Sequence, residues 1–190
     1  VAVFGSSHDI SVNSVDSLIS GNQNKETTGT NNATFGKTNV TKTTTNSLTV
    51  GLSNNLSTAT NSFTMGESNV GIDITNSIIS GKDHSGNTVI RSMVNGQDNT
   101  ISQVTNAFIS GKQNTLSSDN YSAVTGYNNT LTTTTGTIVG GDNNTLTNTK
   151  RDIVQGLSNQ VNNNNDIIMV GESHQATNSD RTTIFGYNQT

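Results

Sequence analysis

The sequence predicts an all-β fold, a β-solenoid of about thirteen coils stacked along 190 residues, and three observations predict it. Glycines stand at Gly21, Gly36, Gly51, Gly66, Gly81, Gly96, Gly111, Gly126, Gly141, Gly156, Gly171 and Gly186, an unbroken period of fifteen, with Gly5 one residue out of step in front. A fixed period of this kind marks a repeat architecture. The apolar residues keep the same register: 24 of the 42 Val, Ile, Leu and Phe residues fall two or three places before or five places after a periodic glycine, where a random spread would leave a fifth. Fifteen residues is too short for a β-α unit, and no 3.6-residue periodicity supports a helix.

Each repeat begins with a strand ahead of its glycine, as in Ala107-Phe108-Ile109-Ser110. β-Branched and aromatic residues favour a pleated, half-buried surface. The glycine supplies the backbone freedom of a tight turn. A second short strand follows, best seen in Asn114-Thr115-Leu116-Ser117 and Asn129-Thr130-Leu131-Thr132. A return of Ser, Thr, Asn and Asp then closes the coil, since these side chains bond nearby backbone and support turns.

Three places after the glycine stand Asn24, Asn39, Asn54, Asn69, Asn99, Asn114, Asn129, Asn144 and Asn159, interrupted by His8, His84, His174 and finally Gln189. Stacking at about 4.8 Å per coil places each column above itself and gives a rod of roughly 60 Å. The Asn column then forms a ladder of amides, each bonding the next. His84 and His174 fit the same ladder, because a neutral imidazole also offers one donor and one acceptor. The alternative for the histidines is a metal or anion site formed where copies meet on a symmetry axis.

The two strongest apolar columns are adjacent. Leu18, Leu48, Phe63, Ile78, Met93, Phe108, Ile138, Ile153 and Ile168 lie three before the glycine; Ile19, Ile79, Val94, Ile109, Val124, Val139, Val154 and Met169 lie two before it. Neighbours on a strand point to opposite faces. One column therefore fills the coil and the other forms an outward stripe. Such a stripe is normally an interaction surface, and on a repeat rod it suggests side-by-side copies around a common axis.

Two stretches break the pattern. Lys25 and Glu26 stand where a second strand is expected, which predicts a distorted coil. Gly71 and Gly86 take the place of the apolar residue five after the glycine, and Ile72, Ile74, Val89 and Ile90 follow, which predicts a shifted strand or bulge there.

Composition excludes several classes. The formal charge is −4, the nine basic residues are scattered, and aromatic residues make up 4%, so no basic patch or stacking platform for nucleic acid is present. No apolar run reaches the length of a membrane span. Cysteine is absent, which excludes disulfides and thiolate metal sites. Register over so many copies argues against a low-complexity disordered segment, which Asn, Thr, Ser and Gly alone would suggest. The sequence starts and stops in mid-repeat, as expected of a segment from a longer protein, with targeting and anchoring parts outside residues 1–190.

The units NSLTVG (Asn46 to Gly51), NSFTMG (Asn61 to Gly66), NSIISG (Asn76 to Gly81) and NAFISG (Asn106 to Gly111), with GxxNTL or GxxNTI following Gly96, Gly111, Gly126 and Gly141, resemble the head repeats of trimeric autotransporter adhesins, closest to the YadA-like head. The likeness spans the whole chain as one repeat array. It implies a left-handed parallel β-roll, a homotrimer around a threefold axis, and a place at the bacterial cell surface, anchored in the outer membrane through parts absent from this segment. It further implies attachment to host matrix, host cells or other bacteria through protein or glycan receptors, with no cofactor and no membrane contact by this region. Small residues such as alanine, frequent around the glycine in the collagen-binding pattern, give way here to Asn and Thr, which puts collagen in doubt as the ligand.

Exposed candidates for ligand contact are the variable residues just after the glycine, among them Lys82, Lys112, Tyr127 and Tyr187. A second reading is an ice-binding solenoid, from the hydroxyl ranks Thr100-x-Ser102, Thr115-x-Ser117, Thr130-x-Thr132 and Thr145-x-Thr147. A polysaccharide-cleaving solenoid is the third. It needs paired carboxylates about 5 to 10 Å apart, and Asp83 and Asp98 share a column without a base, a cleft or a metal set beside them. The sequence is therefore read as that of a non-enzyme.

Overall fold

A computed structural model of the chain describes residues 1–11 and 13–189. Among these residues the regular structure is all strand, and every strand pair is parallel. The chain forms two compact units, residues 1–98 and 99–190, each a β-solenoid.

In the first unit one sheet stacks Ala2–Ser6, Leu18–Asn22, Ala33–Lys37, Leu48–Leu52, Phe63–Glu67, Ile78–Lys82 and Met93–Gln97 in chain order. In the second, Phe108–Lys112, Ala123–Tyr127, Ile138–Asp142, Ile153–Leu157, Ile168–Glu172 and Thr183–Tyr187 stack the same way. Glycine pairs with glycine throughout, as in Gly66↔Gly81 and Gly126↔Gly141. A second sheet in each unit holds the strands after the glycine, such as Asn55–Thr60 and Thr130–Thr135.

The periodic glycines do not sit in the turn that the sequence suggests. Each is the fourth residue of a five-residue strand, and the chain bends two residues later, at a left-handed residue such as Ser68, Asp83 or Asn143. Glycine is needed there for two separate reasons. Gly66 has φ of 124°, and a Cβ on it would lie 1.8 Å from the carbonyl oxygen of Gly81. No L side chain fits that approach, whatever its rotamer.

Five columns face inward. The residue two before the glycine is buried, as in Ile79, Val94, Ile109 and Val154, and the outward stripe is the column three before it. The ladder asparagines and the leucines two residues beyond them are buried as expected. Two further inward columns lie in the polar return. One, eight after the glycine, holds Ala59, Ile74, Val89 and Val104 and then Asp119, Thr134, Thr149 and Asn164. The other, four before it, holds Ser47, Ser62, Ser77 and Ser92. Serine serves at that tight corner because its hydroxyl donates to the carbonyl two residues back, from Ser62 to Thr60 at 2.8 Å and from Ser77 to Thr75 at 2.8 Å. A buried hydroxyl is thereby satisfied without a bulky partner.

Both expected irregularities resolve differently. Lys25–Glu26 is a short strand held in register, Lys25 with Val40 and Glu26 with Thr41, so that coil keeps its path. Glu26 points inward with 1% exposure and accepts a hydrogen bond from Ser17 at 2.6 Å. Gly29 makes room, since a Cβ there would meet the Glu26 carboxylate at 2.1 Å. Nor is there a shifted strand at Gly71 and Gly86, which pair in register with Leu56 and with each other. The missing side chains are replaced from the inward column three residues on: a Cβ at Gly71 would meet Ile74 at 2.8 Å, and one at Gly86 would meet Val89 at 3.2 Å.

Candidate functional site

The ladder is the most fully bonded polar feature of the coil. Asn144 donates from Nδ2 to Asn129 Oδ1 at 3.0 Å and to the Gly156 carbonyl at 2.9 Å. Its Oδ1 accepts from both the backbone N–H and the side-chain amide of Asn159, at 3.1 and 3.0 Å. Buried amides held this way are structural. The histidines take the same place: His84 Nε2 lies 3.0 Å from the Ser80 carbonyl, and the backbone N–H of Gln189 donates to His174 Nδ1 at 3.0 Å. Desolvation by burial pushes His84 below its ordinary value, against the carbonyl of Ser80 and the charge of Asp98. Among the described residues no group of three His, Asp or Glu side chains is placed to hold a metal.

The outward face of the glycine strands is the exposed apolar surface. In the first unit it presents Leu18, Ile78 and Met93 at 36–40% exposure, and in the second Phe108, Ile138, Ile153 and Ile168 at 38–48%. Phe63 belongs to the same column, and Met65, one before the glycine, widens the face where Ser80, Asn95 and Ser110 stand in other coils. In the first unit this face borders a groove of about 850 Å³. Its apolar side is Ala33, Leu48, Phe63 and Ile78, and its polar side is Asn31, Asn46, Asn61 and Asn76. These asparagines form a second amide ladder on the surface, at 3.1, 3.0 and 3.0 Å. Their backbone is left-handed, with φ of 49–54°. Asparagine enters that region more readily than other residues with a Cβ.

The residues expected to contact ligand lie at the edge of this same face, one per coil. Lys82, Lys112, Tyr127 and Tyr187 are all exposed. They do not converge: Lys112 pairs with Tyr127 in register, while Lys82 belongs to the other unit and is engaged by Glu67 at 3.4 Å. Tyr187 lies four strands beyond Tyr127 in its sheet. The hydroxyl ranks are brought together. Thr100, Thr115, Thr130 and Thr145 pair in succession, as do Ser102, Ser117, Thr132 and Thr147.

Sequence reasoning missed two buried acids in the second unit. Asp119 accepts from Ser122 at 2.8 Å and from Thr134, while its Oδ2 has no partner among the described residues. Asp152 accepts from the backbone N–H of Ile167 at 2.9 Å, and its Oδ2 is likewise alone. Desolvation by burial raises both above the ordinary carboxylate value, over the opposing hydrogen bonds. Their signal was present in the sequence, since each occupies a column filled, apart from Asn164 and Asn32, by small or apolar residues. The return segment was not read as inward-facing.

No family model and no curated protein matches the sequence. Among solved structures, the chain is similar to the UDP-N-acetylglucosamine O-acyltransferase LpxA from Moraxella catarrhalis RH4, at 11% identity and a TM-score of 0.25, over 92% of this chain and 70% of that one. At that level the likeness carries no argument about function.

Proposed function

We propose that this chain is part of the head of a trimeric bacterial surface adhesin, acting by attachment to host or neighbouring cells. The observation that carries the reading is the apolar column three before the glycine, exposed at Ile78 and Met93 in the first unit and at Phe108, Ile138 and Ile153 in the second, over a buried interior. A lone solenoid leaves this stripe in water. Three copies with their stripes on a common axis remove it, and a heterologous contact repeated three times closes into a ring. Attachment then draws on many weak contacts per molecule and many molecules per cell.

Sedimentation equilibrium tests the assembly. The expected mass is three times 19.9 kDa. The variant Phe108→Asn, Ile138→Asn, Ile153→Asn is expected to keep its strand signal by circular dichroism and to sediment as a monomer. A folded wild-type monomer at high concentration overturns the trimer. Beads coated with wild type or with the variant, counted on cell layers and on matrix-coated surfaces, test attachment, and equal retention of both overturns the reading.

One observation favours a second reading. The eight hydroxyls of the Thr and Ser ranks lie on the outward side of one sheet, in register over four strands. Such a regular array suits ordered water, and a freezing-hysteresis measurement separates ice binding from attachment.

A further inference from the structure

The corner column ten after the glycine changes character in the second unit. There Tyr121, Gly136, Arg151, Asp166 and Arg181 follow Asn106 in the place that Asn31, Asn46, Asn61 and Asn76, and then Arg91, hold in the first unit. Successive coils are held by Tyr121 N–H to the Thr105 carbonyl at 3.0 Å, Gly136 N–H to the Asn120 carbonyl at 2.9 Å and Arg151 N–H to the Thr135 carbonyl at 2.9 Å. Tyr121 adopts φ of 57°. That backbone costs a tyrosine more than an asparagine, and no packing offsets it, since Tyr121 is 62% exposed. The next residue in the column is Gly136, also left-handed at φ of 69°. A Cβ there would approach only Arg151, at 3.8–4.0 Å, and otherwise meets open space.

The place at Gly136 is thus unfilled, between Tyr121 on the coil before and Arg151 on the coil after, whose backbones are two coil spacings, about 10 Å, apart. The guanidinium is fixed: Asp166 takes its Nε at 2.5 Å and its Nη2 at 2.9 Å. That pairing leaves the Nη1 donors of Arg151 unused by Asp166. Beside it on the same coil Lys150 is exposed and makes no ion pair among the described residues.

We propose that this niche binds a pyranose ring bearing a carboxylate, as found in acidic polysaccharides. The apolar face of the sugar stacks on Tyr121 and its ring occupies the space over Gly136. The carboxylate pairs with Lys150, and a ring or hydroxyl oxygen accepts from Arg151. An aromatic platform gives contact area at low entropic cost, and a nearby ammonium selects the acid over the neutral sugar. A nucleic-acid strand is a poorer fit, because it needs a succession of platforms and a basic stripe, and the column offers one aromatic ring and two carboxylate-flanked arginines. The niche lies on a corner that adjoins the apolar column three before the glycine, with Ile138 and Ile153 two residues beyond Gly136 and Arg151. It rests on the attachment reading only for its biological use.

The test is isothermal titration of the full chain with oligogalacturonate, with its methyl-esterified form and with a dextran oligomer as controls. Saturable binding of the acid is expected, with at least about tenfold weaker binding of the ester and the dextran. Tyr121→Asn and Gly136→Asn are expected to weaken it by at least about tenfold. Both substitutions place in this corner the residue the first unit carries there, at a compatible φ. Lys150→Gln is expected to lower affinity and flatten its salt dependence. Absent binding of the acid, equal binding of the ester, or unchanged binding by Tyr121→Asn and Gly136→Asn overturns the proposal. The sedimentation mass of the same samples reports on the trimer separately, so the site can fail while the assembly stands.

Discussion

Residues 1–98 and 99–190 build the same coil but place its polar lining on different walls. In the first unit the column two before the glycine includes Thr34, Thr49 and Thr64, buried with no partner for their hydroxyls among the described residues, while the column eight after it is apolar at Ala59, Ile74 and Val89. In the second unit the first of these columns is Ile109, Val124, Val139 and Val154, and the other carries Asp119, Thr134, Thr149 and Asn164. What stays constant is the glycine and the amide ladder. The difference teaches that the frame rests on backbone approach and ladder bonds, whereas the remaining interior has only to be filled.

The largest effect is expected where the units agree. Gly66→Ala drives a Cβ into the backbone of Gly81 at an unfavourable φ. A loss of more than about 3 kcal/mol, or failure to fold, is expected by urea denaturation. A loss below about 1 kcal/mol would mean that adjacent coils separate far more easily than glycine stacking implies.

Filling is tested next. Gly71→Leu alone overpacks against Ile74 and Leu56 and is expected to cost about 1–3 kcal/mol. Combined with Ile74→Ala it reproduces the Leu56 and Ala59 arrangement of the preceding coil and should recover most of that loss. A double-mutant cycle with coupling below about 0.5 kcal/mol would show that the two columns do not share one space.

Titration sharpens the contrast between the units. Asp119 is raised above its ordinary value of 3.8 by burial, so the folded state takes up its proton first as pH falls. Its contribution to stability is complete below 3.8 and is lost as pH rises through the folded value. Asp119→Asn is therefore expected to stabilise the chain at neutral pH and to lose that advantage in acid. His84, lowered by burial, behaves in reverse: its stability is complete above 6.5 and is lost as pH falls through the folded value. His84→Asn should abolish that mildly acid loss. Urea midpoints across pH check both, and parallel curves for wild type and variants would refute the assignment. The smallest effect expected is that of Thr64→Val, a gain of about 1 kcal/mol from removing an unpartnered hydroxyl.

The period, the strands, the ladder and the adjacent apolar columns were all legible, because each depends on one residue type recurring at a fixed place. Glu26 and Gly71 were misread for one reason: position by position they violate the pattern, and the compensating residues, Gly29 and Ile74, lie in a segment that looks like a polar loop. The niche at Gly136 was invisible for a related reason. Tyr121 and Arg151 are thirty residues apart in sequence, and only stacking brings them to within two coils of each other.

By itself, then, the sequence determined that this chain is a parallel β-repeat with a glycine at each close approach and an amide ladder within, since backbone geometry and hydrogen bonding admit few other residues there. It left open which apolar column is inside, because strand alternation has two solutions of opposite sign. Only closure of the coil decided between them, by turning the residue two before the glycine and the ladder asparagine toward the same interior and leaving Phe108, Ile138 and Ile153 to the surface.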